Sequence, residues 1–379
     1  MTHSEFKQFD SLPVTILSSF GHNGLDWIHS LLDGHTQIAL MPAYSFFRTL
    51  DFYEKEKGNS IFRNRDARKL AREFTNYLYT NPSYNVVRRK FLNDDDEAAD
   101  FENYLFQYLT QSEPINCEKS LFMGINYAYC KLFKIEISNL RMIISQEHVS
   151  WHTEKYNKFF NAKFVLMMRD PRAGLAGSWK RQVENAGYES INPYDFDKGI
   201  LAGTYLERYC KKYQKTSSDN IKVMVNERMH EDLKEEMHKL CNWLGIDFQE
   251  SCVFETFLGK EWLGESSYLA VDELSERPPE DFYLPQNVEN RWRGRLSKKD
   301  IRMIEFLFKD SMNKFGYNRD NPETFHYNFK GLNTYLFTAL VNPKEPYKLL
   351  IPLKALRNFF RRFFVFYFPL ITPKLFTIL

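Results

Sequence analysis

Hydrophobic and polar positions fall into two kinds of run along this chain. Short stretches that are apolar almost throughout and bounded by polar turns read as strands covered on both faces: Val14–Ser18, Gln37–Met41, Arg141–Ser145, Lys163–Arg169 and Ile221–Asn226. Between them lie stretches with apolar residues at helical spacing: Leu25–Leu32, Pro171–Asn185, Tyr194–Lys215, His230–Leu244 and Lys298–Phe315. Alternating β and α units predict an α/β fold built on a parallel sheet flanked by helices. Gly245, after Asn242-Trp-Leu, is the expected C-cap of its helix. Residues 43–135 break the alternation. Their pattern is mostly helical and predicts an insertion over the carboxyl edge of the sheet, on the side of an acceptor. Residues 255–297, with Pro278-Pro279 and Pro285, read as an irregular cover.

The last segment differs from everything before it. From Pro346 to Leu379 there are six basic residues (Lys348, Lys354, Arg357, Arg361, Arg362, Lys374), no acidic one, and aromatic or aliphatic residues between them. The uncharged run Phe363–Pro373 is too short to span ~30 Å of hydrocarbon, and Pro369 interrupts it. Residues 331–379 are therefore expected to form a basic aromatic tail lying on an anionic membrane surface, the other reading being a tail packed on the rest of the protein or in a dimer. The formal net charge of +2 leaves no global basic field, so nucleic acid is not an expected partner. The five cysteines (117, 130, 210, 241, 252) show neither CxxC nor a metal-ligand spacing and are expected to be reduced, mostly buried thiols. The first twelve residues carry no basic stretch leading into an apolar core, so no signal peptide is expected. These readings place the protein in the cytoplasm, peripheral at the inner membrane face.

Chemistry concentrates in two segments. Pro13–Asp33 reads as a buried strand, a glycine-bearing turn and a helix, and such a turn points N–H groups and a helix N-terminus at one anion. Ala162–Ala173 reads as an apolar strand ending in Arg169, followed by a helix with Pro171 in its first turn. An arginine at the carboxyl end of a parallel strand stands where open α/β sheets bind ligands. Together the segments imply a ligand with phosphate at both ends.

Four segments in order resemble the sulfotransferases that use 3'-phosphoadenosine 5'-phosphosulfate (PAPS), with a closer likeness to bacterial carbohydrate-type members. Ser19-Phe-Gly-His-Asn-Gly-Leu-Asp-Trp27, with His29-Ser-Leu-Leu-Asp-Gly-His35, is similar to the family's 5'-phosphosulfate loop. Arg169-Asp-Pro-Arg172 with Ser178 is similar to its 3'-phosphate segment. Asn226-Glu227 leading to Leu240–Gly245 resembles the unit that follows, and Asn290-Arg-Trp-Arg-Gly-Arg-Leu-Ser297 the late basic segment. The resemblance implies a P-loop-NTPase-like sulfotransferase fold over residues 1–330, PAPS as co-substrate, no metal, and a sugar or glycolipid hydroxyl as acceptor.

The resemblance also assigns residues. Ser19, Gly21, Asn23 and Gly24 would cradle the 5'-phosphate. His22 stands where the family places a cation on the leaving oxygen. Arg169, Ser178, Arg291 and Arg295 would hold the 3'-phosphate, with Ser178 one step beyond the family's serine position, here Gly177. Arg293 belongs to the same basic segment, and Trp292 either stacks on adenine or packs. Asp26 departs from the family's Ser or Thr and is expected to cap its helix, meet a basic residue or face the acceptor hydroxyl. Glu147 and His148, at a strand end, are the two candidate bases, the bland reading being a pair that caps the next helix. His152 is a weaker candidate one turn on, and His35 is expected to order its loop. Two other classes compete. A kinase of the P-loop class would need GxxxxGK[ST], which is missing from the sequence. A degenerate sulfotransferase fold kept as a nucleotide-binding or scaffold protein would bind without turnover.

Overall fold

The five apolar runs become one parallel sheet in the order β2-β3-β1-β4-β5, flanked by helices. The strands are β1 (Val14–Ser19), β2 (Ile38–Leu40), β3 (Met142–Glu147), β4 (Lys163–Met168) and β5 (Ile221–Val225). This is a computed structural model; it describes residues 1–19, 23–42, 45–63, 66–81, 90–112, 117–148, 152–177, 218–264 and 279–321, with Thr324, Lys330, Gly331, Asn333 and Phe360. Every residue of β1 and β3 is buried, as strands covered on both faces must be. The β1–β3 register sets Val14 opposite Ile143 and Ser18 opposite Glu147. Both strands therefore deliver their last residues to one end of the sheet.

Several boundaries move from the sequence expectation. Strand β2 is shorter than expected, and the Gln37 side chain before it donates to Asp247 Oδ2 (2.6 Å) and accepts from the Asp247 amide (2.9 Å). Strand β3 starts one residue late and runs on to Glu147. The helix expected over His230–Leu244 is two helices, Asn226–Glu231 and Leu233–Leu244. Asp232 breaks the chain between them, and its carboxylate accepts from the Glu235 amide (3.0 Å), an N-cap in mid-pattern. The run Lys298–Phe315 is likewise interrupted at Phe308. Pro285 opens the helix Pro285–Asn290 instead of marking irregular chain, since its missing N–H is no loss there. The helix expected over Tyr194–Lys215 lies outside the described residues.

The chain forms two compact units. The first comprises Met1–Ser18, Leu25–Val165 and Met237–Trp262; the second comprises Ser19–Gly24, Leu166–Glu236 and Leu263–Leu379. In the first unit, α1 (His3–Asp10) and α2 (Leu25–Leu32) precede the helical stretch α3 (Phe46–Lys57), α4 (Ala67–Thr80), α5 (Asp95–Leu109) and α6 (Glu118–Leu132), and α7 (Thr153–Phe159) follows β3. Asp66 and Asp94 cap α4 and α5, and Gly58 ends α3 in the left-handed conformation. Helices α5 and α6 approach closely because Gly124 has no side chain; a methyl there would come within 2.8 Å of Leu105 Cδ1. Phe74, Phe101, Leu105 and Tyr108 are fully buried, each contributing roughly 1.5–3 kcal/mol by removal from water. Among the described residues no helix is long and apolar enough to cross a membrane. Apart from Gly331, Asn333 and Phe360, the tail 331–379 lies outside the described residues.

Candidate active site

The first unit holds an acid-rich group at the end of β3. Glu147 is fully buried, and its carbonyl accepts from Ser18 Oγ (3.0 Å). Its Oε2 stands 3.5 Å from the Tyr156 hydroxyl and its Oε1 3.4 Å from His152 Nδ1. The other ring nitrogen, Nε2, lies 2.8 Å from Asp51 Oδ2, and Lys155 Nζ lies 3.1 Å from Asp51 Oδ1. Burial opposes a charge on His152, yet the two carboxylates outweigh it and hold its pKa above the ordinary histidine value. Burial pushes the Asp51 carboxyl up, and His152 with Lys155 more than reverses this, leaving it below the ordinary range. Burial, reinforced by the charge of Glu147, holds the Tyr156 phenol well above its usual value.

His148, the other candidate base, is half-buried, and its backbone N–H donates to Ser45 Oγ (3.2 Å) at the start of α3. Asp26 is buried in the first turn of α2 and accepts from Gln146 Nε2 (2.5 Å). The amide of Gln146 is thus one partner of its carboxylate. His35 orders its loop as expected. Its Nδ1 accepts from the Gln37 amide (3.1 Å), so Nε2 carries the proton and donates to the Asp247 carbonyl (2.9 Å). Burial lowers its pKa and keeps the ring neutral. Asp33 accepts from Thr256 Oγ1 and the Gly259 amide, both at 2.9 Å.

The first unit also brings together what cysteine spacing does not reveal. Ligand atoms of His35, Cys241 and Cys252 lie within 4.8 Å of one another, all buried. Both nitrogens of His35 already hold main-chain groups. The four described cysteines are free thiols, and Cys117 caps α6 by accepting from the Ser120 amide (3.4 Å).

The second unit is cationic where the first is acidic. Arg169 follows β4 and is buried. Beside it the Asp170 amide donates to Glu227 Oε1 (3.0 Å), and Tyr317 donates to Glu227 Oε2 (2.7 Å). Burial raises the Glu227 carboxyl, and the charge of Arg169 works against that. Arg172, the second arginine of the Arg169–Arg172 segment, is spent inside the protein. It forks onto Asp170 (Nε–Oδ1 3.0 Å, Nη2–Oδ2 2.7 Å), reaches Glu305 Oε1 (2.8 Å) and donates to the Asn318 carbonyl (2.8 Å). Its guanidinium lies 4.2 Å from the ring centre of Trp292, and that of Arg293 4.5 Å from the same ring. Trp292 thus packs as a buried plate.

The three arginines of the late basic segment part company. Arg293 binds Asn290 Oδ1 (2.8 Å) and pairs with Asp320 (3.4 Å), and Arg295 is exposed. Arg291 lies over the Tyr283 ring (5.3 Å), on which His230 also stacks (5.5 Å, 10° between planes). Burial drives the His230 pKa down to about 3, with the charges of Arg169 and Arg291 pushing the same way. Arg169 and Arg291, far apart in sequence, therefore share the surroundings of one neutral histidine. Sequence reasoning missed His230; its place five residues after the end of β5 is the signal that was available.

The turn completes this half. Ser19 ends β1 and is buried, and Gly24 takes φ +85°, which glycine adopts without strain. Asn23 is fully buried, and neither atom of its amide has a hydrogen-bond partner among the described residues. It lies against Gly174 in the helix 171–177, where a Cβ would run into the Asn23 amide oxygen. The turn at Asn23 and the helix 171–177 thus meet within one unit. Gly21, His22 and Ser178 lie outside the described residues.

Known proteins can now be set beside this geometry. A family described as "Sulfotransferase family" matches residues 25–250, more than half of the chain. No curated protein matches. Solved structures similar to the chain include the sulfotransferase domain of the olefin synthase of Synechococcus PCC 7002, at 14% identity, TM-score 0.41, 81% of this chain and 95% of that one. A sulfotransferase domain of the curacin biosynthetic pathway follows at 11% identity, TM-score 0.44, 81% and 99% coverage. A mouse sulfotransferase complexed with PAP stands at 11% identity, TM-score 0.38, 82% and 90% coverage. The parallel sheet, the strand-end arginine and the family match over residues 25–250 agree: the chain belongs to the sulfotransferase family.

Proposed function

We propose that the protein moves a sulfuryl group from PAPS to a hydroxyl of a carbohydrate or glycolipid. The observation that carries this reading is the convergence of Arg169 and Arg291 on His230. A histidine held neutral by burial and, further, by two nearby arginines fits cationic surroundings suited to a dianion, which is what the 3'-phosphate of the donor is. Asn23 adds a second support: a buried amide with no partner among the described residues suits an oxygen of the 5'-phosphosulfate.

In the reaction the bond between sulfur and the bridging phosphate oxygen breaks and a bond between sulfur and the acceptor oxygen forms. Glu147 takes the hydroxyl proton, and adenosine 3',5'-diphosphate leaves. Little covalent help is required, so rate comes from positioning and from stabilising charge on the leaving phosphate. His22, in the turn, is the proposed cation at that oxygen, and His148 the alternative base. The helices α3 to α6 supply the acceptor pocket, and the tail 331–379 holds the enzyme at an anionic cytoplasmic membrane face, which suits a lipid-linked acceptor.

Calorimetry with adenosine 3',5'-diphosphate tests the reading. Arg169→Ala is expected to lose about 1.5–3 kcal/mol of binding, as for a charge-assisted contact. Unchanged affinity would remove the donor site. A gain of one sulfate in the mass of extracted glycolipid or polysaccharide on expression is expected; binding of the diphosphate without turnover on any acceptor would favour a non-catalytic protein.

A further inference from the structure

We infer that His152, anchored by Asp51, is a positioning residue for Glu147, holding its buried carboxylate as an ion pair aimed through the Oε1 oxygen. The inference rests on the reading of Glu147 as the base. Glu147 is fully buried, and a carboxylate out of water is stable in its charged form only when a countercharge and hydrogen-bond donors replace the solvent. His152 is itself 1% exposed and stands between two acids: Nδ1 is 3.4 Å from Glu147 Oε1 and Nε2 is 2.8 Å from Asp51 Oδ2. The shorter contact is an ion pair that ties the ring to α3. Asp51 is half-exposed on α3, so the chain of groups runs from a dry carboxylate to the surface.

Among the described residues, these groups face His152. From α3 come Asp51 and the Phe47 ring, 6.0 Å away; from β3 comes Glu147; from its own helix come Lys155, which opposes its charge, and Tyr156, whose hydroxyl lies 3.5 Å from the second oxygen of Glu147. Two acids against one partly screened lysine favour the imidazolium. The arrangement leaves Oε1 on the cation and Oε2 beside a neutral phenol. Oε2 accepts from that phenol. Neither Asp51 nor His152 touches the reacting atoms; they act through Glu147.

The expected signature is in the pH profile. With the pairing cation gone, His152→Gln should lower the rate at pH 6 more than at pH 8 and displace the acid limb of kcat/KM. Asp51→Asn, at a half-exposed position, should fold and shift the limb in the same direction by less, and Asp51→Glu should restore it. If both variants lose rate at every pH with the limb unmoved, His152 is only structural and the inference falls. Histidine ring resonances in the full chain, with the His152 signal identified by its loss in His152→Gln, give a readout independent of turnover. The His152 titration should move to lower pH in Glu147→Gln; no movement would overturn the pairing. Full activity of Glu147→Gln would instead remove the base reading and leave the pairing to be decided by that titration.

Discussion

The end of β3 gathers carboxylates, whereas the end of β4 gathers guanidinium groups. In the first unit Glu147 and Asp51 share the titratable His152, Asp51 also meets Lys155, and Asp26 meets the Gln146 amide. In the second unit Arg169, Arg172 and Arg291 are permanent cations, of which Arg172 is wholly absorbed by Asp170 and Glu305 while Arg169 and Arg291 bias a shared histidine. The contrast fits a division of labour. A group that must take and return a proton needs titratable neighbours, and a group that must hold a dianion does best with a charge that never titrates.

The largest effect that would sharpen this contrast is a separation of turnover from binding. Glu147→Gln should lower kcat by about 10²–10⁴, the usual worth of a general base, while calorimetric affinity for adenosine 3',5'-diphosphate stays unchanged. A variant that lost affinity and kept kcat would reverse the assignment of the two ends. Next comes Arg172→Met, which leaves the buried Asp170 and Glu305 without their shared cation. It should cost roughly 3–5 kcal/mol in urea unfolding, with diphosphate affinity affected only through the lost fold.

His230 gives a smaller, pH-dependent effect. Its folded pKa of about 3 is depressed from 6.5, so between those values the unfolded chain binds a proton that the folded chain refuses. Stability is therefore full above pH 6.5 and falls as pH falls toward 3, by at most about 1.4 kcal/mol per pH unit. His230→Gln should flatten that part of the Tm-against-pH curve, and a curve of unchanged slope would remove His230 from the cationic pocket. The smallest effect belongs to Arg295→Ala. Arg295 is exposed, so stability should stay within about 0.5 kcal/mol. Diphosphate affinity, measured by the same calorimetry, should move far less than in Arg169→Ala, and an equal loss would return Arg295 to the 3'-phosphate site.

Much of the frame was legible because buried strands and amphipathic helices impose their periods directly. Leu25–Leu32 has the ends its pattern predicts, and β1 extends its predicted run by one residue. The helix over His230–Leu244 was not legible as two, because apolar spacing continues past Asp232 while a single polar side chain recaps the backbone there. At the site, Arg169 and Glu147 stand out as charges at strand ends. Asp51 and His230 do not: one is an acid among three on an insertion helix, the other a histidine in a polar stretch.

By itself the chain determined the sheet and the two segments that feed its carboxyl end, because hydrophobic period, glycine in the turn and proline after Arg169 are local constraints. It also determined the family, through the order of those segments. Only the tertiary structure decided which partners each charge meets. The equal-looking arginines of Arg169-Asp-Pro-Arg172 differ because Glu305 and Asn318, far along the chain, arrive beside one of them. The equal-looking neighbours Glu147 and His148 differ because α3 brings Asp51 to His152 and Ser45 to the His148 amide. Charge on a side chain is written in its sequence, but whether that charge is neutralised, buried or available depends on partners that only folding brings within a few ångströms.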